Sequence, residues 1–191
     1  DKATAINAES IASNDVDISV KPKIIWDGEN YLLLYVNSEG ILVLAKFSAT
    51  GVLVGTPVLL YESDEVLNDL ELIADGGMVY AFSRKGDYFL KSSYDFVSQV
   101  GENHILMIEE GMTKLSIAHN DDVFGLVWLS MDDKLKFIEL NMDMEKLSDI
   151  TEIKAGNEIF SPNLSAYEDS YLLLWHENTM TSKNVYRLFI Y

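Results

Sequence analysis

Four times along the chain a polar turn runs straight into five consecutive mainly apolar residues. Tyr31-Leu32-Leu33-Leu34-Tyr35 follows Asp27-Gly28, and Met78-Val79-Tyr80-Ala81-Phe82 follows Asp75-Gly76-Gly77. Phe124-Gly125-Leu126-Val127-Trp128 follows Asn120-Asp121-Asp122, and Tyr171-Leu172-Leu173-Leu174-Trp175 follows Glu168-Asp169. The steps between these phrases are 47, 46 and 47 residues. So regular a period means that one supersecondary unit is copied, and since such a unit cannot bury its apolar face alone, the copies must stack. The phrases are short and rich in aromatic residues, with turns closely spaced between them, which predicts strands rather than helices.

Each unit holds four such strands. An alternating segment precedes the central phrase, as in Lys23-Ile24-Ile25-Trp26 or Lys114-Leu115-Ser116-Ile117. A third strand follows the turns NSEG, RKGD and MDDK, and a fourth lies in PVLLYE, HILMIE and ITEIKA. Four antiparallel strands in a unit of about 40–50 residues describe a blade of a β-propeller. The second strand of a blade lies inside its sheet and is covered on both faces by neighbouring blades, so the phrase can afford no polar face.

The expected fold is therefore all-β: one propeller domain over residues 1–191, with blades at about 19–62, 66–108, 113–154 and 161–191 plus 3–10. The last blade runs out after its third strand at Tyr191, so the segment 3–10 is expected to supply the fourth and close the ring. Such closure would hide sheet edges. A closed monomeric ring is the preferred reading, and a half-propeller pairing with a second copy into eight blades is the alternative.

The recurring D-G-x-x-Y-L-L-x-[YW] phrase resembles the degenerate propeller repeats of bacterial extracellular proteins. The stretch DGGMVYAFSRKGDYFL, Asp75 to Leu90, is similar to a repeat of the four-bladed hemopexin-like architecture. These resemblances imply an architecture and an extracellular or cell-surface setting. They imply no activity, because the other blades depart from the hemopexin pattern and its cysteines are missing.

Composition narrows the partners. Acidic residues outnumber basic ones by 31 to 14, for a formal charge of −17, so the long-range field repels nucleic acid and anionic membranes. Apolar runs of five or six residues fall far short of the ~20 that a spanning helix needs, so no membrane insertion is expected. With no cysteine, disulfides, thiolate metal sites and cysteine nucleophiles are excluded. No P-loop, G-x-S-x-G motif or alternating acidic calcium loop is present, and the sequence calls for no cofactor or metal.

Two sets of residues are candidates for function. In a propeller the first strands line the axis. An ungapped alignment of these strands puts Lys21, Lys23, Asp69, Glu71, Lys114, Ser116 and Asn163 on a channel-facing side, with Ile24, Trp26, Leu70, Leu72, Leu115, Ile117 and Leu164 packed between sheets. Three lysines would meet two carboxylates there, either as a charge-balanced hydrated plug or as an ion or ligand site. The second set lies on the loops of one exposed face: Glu62, Asp64, Arg84, Lys85 and Phe160. Tyr35, Phe82, Trp128 and Trp175, at equivalent strand ends, read as interblade packing before they read as a stacking platform. His104, His119 and His176 show no ligand spacing. The expected function is a non-catalytic module that recognises a protein or glycan through one face. The alternative is a small glycan hydrolase that uses Asp69 and Glu71 at the channel mouth.

Overall fold

The computed structural model of the chain describes residues 17, 19–155, 159–178 and 183–190. The proposed closing segment 3–10 lies outside the described residues. Among those residues the fold is a β-propeller of four antiparallel sheets. The first blade is β1 (Lys23–Trp26), β2 (Asn30–Val36), β3 (Ile41–Ser48) and β4 (Val58–Glu62), hydrogen-bonded in that order. The second is β5 (Leu67–Asp75), β6 (Met78–Lys85), β7 (Tyr88–Asp95) and β8 (Val100–Met107). The third is β9 (Thr113–Asn120), β10 (Val123–Leu129), β11 (Lys134–Asn141) and β12 (Thr151–Ala155). The fourth blade has three described strands, β13 (Ile159–Tyr167), β14 (Ser170–Asn178) and β15 (Lys183–Ile190).

Local sequence fixes the register of each hairpin. Between β5 and β6 the two-residue loop Gly76-Gly77 has φ of 55° and 90°, and Asp75 pairs with Met78 across it. A two-residue loop with both φ values positive matches the right-handed twist of the strands it joins, and glycine reaches that conformation at least cost. In the first blade the Asp27 carboxylate instead accepts the backbone N–H groups of Glu29 and Asn30, at 2.8 and 2.6 Å, and so closes the turn ahead of YLLLY.

The core consists of three interblade layers. Leu32, Leu34, Val36, Leu42 and Leu44 of the first blade meet Leu70, Leu72, Val79 and Ala81 of the second. Tyr80, Phe82 and Phe89 of the second meet Ile117, Phe124, Leu126 and Trp128 of the third, and the Phe124 ring stands edge-on to both Tyr80 and Phe82. Val127, Leu129, Leu135 and Phe137 of the third meet Leu164, Tyr171, Leu173 and Trp175 of the fourth. Edge-to-face aromatic contacts of this kind add ~0.5–1.5 kcal/mol each beyond the area they bury. The third layer also explains the one glycine among the central phrases. A Cβ on Gly125 would lie 2.7 Å from the Tyr171 ring, whose hydroxyl donates to the Val123 carbonyl at 3.3 Å. Burial of this phenol pushes its pKa up to about 12.

The contact between the fourth and first blades differs from these three. First strands pack on one another from β1 to β5, β5 to β9 and β9 to β13, with no comparable packing between β13 and β1. Ile24 and Trp26, expected between sheets, are 61% and 48% exposed, and Val185 on the facing side of the fourth blade is 68% exposed. Leu33 is only partly buried, unlike its counterparts Tyr80, Leu126 and Leu173. The reason is position: these side chains point to the side of the first blade on which no described sheet is closely packed. Further out on that side, Tyr35, Val43, Ala45 and Phe47 are buried.

Candidate functional site

Strict alternation fails at one end of the axial strands, and it fails at the same place in three blades. Asn68 pairs with Arg84 and Glu71 with Phe82, so three steps on β5 oppose two on β6. Thr113 and Ser116 oppose Leu129 and Val127 in the same ratio, as do Phe160 and Asn163 against His176 and Leu174. Each is a β-bulge that adds one residue to the first strand. Within them Asp69, Lys114 and Ser161 have φ of 52°, 51° and 47°. Left-handed backbone at a non-glycine residue costs of order 1–3 kcal/mol and persists only where the surroundings enforce it. Bulges re-aim side chains and are over-represented beside binding sites.

The bulges open a cavity of about 440 Å³ on the axis, lined by Lys21 and Lys23 of the first blade, Asn68 through Glu71 of the second, Lys114 and Leu115 of the third, and Ser161 and Pro162 of the fourth. Consecutive residues line it because the extra residue breaks the two-sided pattern. Lys21, Asp69, Lys114 and Ser161 are equivalent positions, one per blade, and form its rim.

Ion pairs organise the cavity wall. The Lys23 ammonium donates to Glu71 Oε1 at 2.9 Å, and Arg84 Nε donates to Asp69 Oδ2 at 2.8 Å. The Glu71 side chain is 20% exposed, and burial raises its carboxyl above the ordinary 4.5, helped by the charge of Asp69 and opposed by Lys23. The Lys114 ammonium lies 4.4 Å from the centre of the Phe160 ring, a cation–π contact across two blades.

The two candidate sets from the sequence therefore meet at one mouth. Arg84 and Phe160, read as loop residues of an exposed face, touch Asp69 and Lys114 of the channel set. Lys85 pairs with Asp64 next to them, and Glu62 is exposed at the end of β4. Two members of the channel set lie off the cavity. Ser116 is buried and its hydroxyl accepts the Leu164 N–H at 3.1 Å, which ties the third blade to the fourth, while Asn163 is exposed beyond the bulge. Sequence reading missed Asn68, Leu70, Leu115 and Pro162 as lining residues, because an ungapped alternation sends neighbours to opposite faces, and it missed Ser19 and Val20 ahead of the first strand. It also missed Arg84 as the partner of Asp69.

At the opposite mouth the same strands are regular. A wider and shallower hollow there is lined by Ala74, Asp75, Ala118, His119, Asn120, Ser165 and Ala166 among others. His119 Nδ1 is 3.9 Å from Asp75, and its ring packs on Phe124 at 4.9 Å. The aromatic strand ends are packing elements: the Trp128 indole is fully buried and donates to Glu109 at 2.8 Å, and that of Trp175 donates to Glu177 at 2.9 Å.

No protein-family model matches the chain, and no curated protein sequence does. The resemblance to bacterial repeat proteins thus has no counterpart in sequence comparison. Solved structures do match in shape. The GH43 endo-arabinanase from Bacillus licheniformis superposes with a TM-score of 0.58 at 11% identity, over 95% of this chain and 73% of that one. A bifunctional GH43-CE protein from Bacteroides eggerthii gives 0.60 at 13%, over 92% of this chain and 26% of that one. The GH43 α-L-arabinofuranosidase from Clostridium thermocellum gives 0.56 at 13%, over 84% and 61%. The chain spans a large part of the arabinanase and less than two thirds of the other two. At such identities the likeness shows the fold alone, an all-β propeller.

Proposed function

We propose that the bulged mouth of the axis is the active site of a glycan hydrolase, which favours the alternative of the sequence reading over a purely binding module. The observation that carries this is Glu71. It is a carboxyl largely withdrawn from water, with its pKa raised, on the wall of an axial cavity beside a second carboxylate, Asp69. Glycoside hydrolysis needs one carboxyl that still holds a proton to give to the leaving oxygen, and one ionised carboxylate to activate water or attack the anomeric carbon. Glu71 fits the first role. Asp69, with the Arg84 guanidinium on one oxygen, fits the second and keeps its other oxygen for water or sugar. The shape match to GH43 enzymes supports the same class of substrate.

The test is release of reducing ends from arabinan, β-1,3-galactan and other oligosaccharides by the purified chain. Glu71→Gln and Asp69→Asn are each expected to lower the rate by ~10²–10⁴-fold at unchanged fold. Cleavage that survives both substitutions removes the assignment. A second reading keeps the same mouth as a glycan-binding site without cleavage. It is favoured by the ion pairs on both carboxylates, and binding with no product release would select it.

We also propose that residues 3–10 complete the fourth blade along the outer edge of β15 and so close the ring. That only three strands of the fourth sheet lie among the described residues, against four in each other sheet, supports this. Deleting residues 1–10 should then lower the melting temperature clearly, since several strand hydrogen bonds of ~1 kcal/mol each are lost. An unchanged melting temperature contradicts closure.

A further inference from the structure

We infer that the glycan taken by the axial cavity is an acidic one, in which uronate carboxylates are held between Lys21 and Lys114. The inference rests on the reading of this mouth as a glycan site. Three of the chain's fourteen basic residues line the cavity, against two carboxylates. Both carboxyl groups already accept a hydrogen bond, Glu71 from Lys23 and Asp69 from Arg84, and neither reaches Lys21 or Lys114. Among the described residues Lys21 and Lys114 have no carboxylate partner. The Phe160 ring under Lys114 orients its ammonium without neutralising it.

Their placement is specific. Lys21 and Lys114 occupy the same rim position in the first and third blades, which face each other across the axis of four blades, with Asp69 and Ser161 in the other two. Lys114 is held there in a left-handed backbone conformation that lysine seldom takes. The rest of the molecule has the opposite sign, with a formal charge of −17. A pocket with two unmatched ammonium groups in such a protein attracts anions where the remaining surface repels them. A carboxylate carried on a sugar ring satisfies these lysines while the hydroxyls reach Asn68, Ser161 and the carboxylates.

Calorimetric titration with α-1,4-linked trigalacturonate, with its fully methyl-esterified form and with hexaglutamate isolates the charge. The acid is expected to bind about tenfold or more tightly than the ester at low salt, and the preference should shrink as salt rises. Lys21→Ala/Lys114→Ala, which alters two exposed side chains, should erase the preference for the acid over the ester. Equal binding of acid and ester by the native chain overturns the inference while leaving the glycan reading in place. Binding of hexaglutamate more tightly than trigalacturonate overturns it in favour of an acidic peptide. If neither saccharide binds and no neutral glycan is cleaved, both readings fall.

Discussion

The two halves of the axial strands carry different duties. In the half that runs from Leu72 to Asp75, Ile117 to Asn120 and Leu164 to Tyr167, pairing is regular, and Leu72, Ile117 and Leu164 are buried in the three interblade layers. In the other half each of three strands carries an extra residue, and Asp69, Lys114 and Ser161 stand in left-handed backbone around a charged cavity. One repeated strand thus supplies both the packing that holds blades together and the irregularity that exposes polar groups. Stability should be concentrated in the regular half and chemistry in the bulged half.

Substitutions on either side of this division should separate the two properties. The largest effect is expected on activity: Glu71→Gln should lose ~10²–10⁴-fold in turnover with no loss of stability, whereas Ile117→Ala should keep turnover per folded molecule. Next in size is stability. Ile117→Ala and Leu173→Ala each empty a buried site and should cost ~2–5 kcal/mol in denaturant unfolding. Ile24→Ala, at the exposed seam between fourth and first blades, should cost far less. A cost there equal to that of Leu173→Ala would mean that the seam is packed like the other interfaces.

Smaller effects probe the bulges. Ser161→Gly removes left-handed strain but frees the unfolded chain, so stability should move by less than ~1 kcal/mol. The smallest effect concerns pH. The carboxyl of Glu71 is raised above 4.5 in the folded state, so the native protein holds this proton at a pH where the unfolded chain has released it. The associated stability is fully present below 4.5 and is lost as pH rises through the folded pKa. Glu71→Gln should therefore be more stable than the native chain near neutral pH, by a margin that vanishes in acid. A margin that instead grows as pH falls would show that the Lys23 pair outweighs desolvation.

The division also accounts for what could be read from sequence. The strands and their order were legible because YLLLY, MVYAF, FGLVW and YLLLW are apolar on both faces, although only the middle two are covered on both: Tyr31 and Leu174, on the open sides of the first and fourth blades, are 40% and 38% exposed. The lining of the axial cavity was legible in outline, since Lys23, Asp69, Glu71 and Lys114 fall on first strands, Lys21 stands two residues ahead of β1, and all five line the cavity. The bulges were not legible. They use aspartate, lysine and serine at positive φ where no glycine marks the turn, and their trace in the sequence is only a step of three between apolar residues of one face, Leu67 to Leu70, Met112 to Leu115 and Ile159 to Pro162, which an ungapped alternation passes over. The pairing of Asp69 with Arg84 was hidden for the same reason, because it depends on the register that the extra residue shifts. The exposed seam was hidden because Ile24 and Trp26 carry the same alternation as strands that do pack.

Amide chemical-shift mapping with an oligosaccharide that the chain binds puts the claim about the bulged half to its most direct test. The residues that should move are Asn68, Asp69, Leu70 and Glu71, with Lys114, Leu115 and Ser161, while Asp75, His119, Asn120 and Ser165 at the regular mouth stay in place. Shifts confined to the regular mouth, or to the outer loops away from the axis, would contradict the assignment of function to the bulged end.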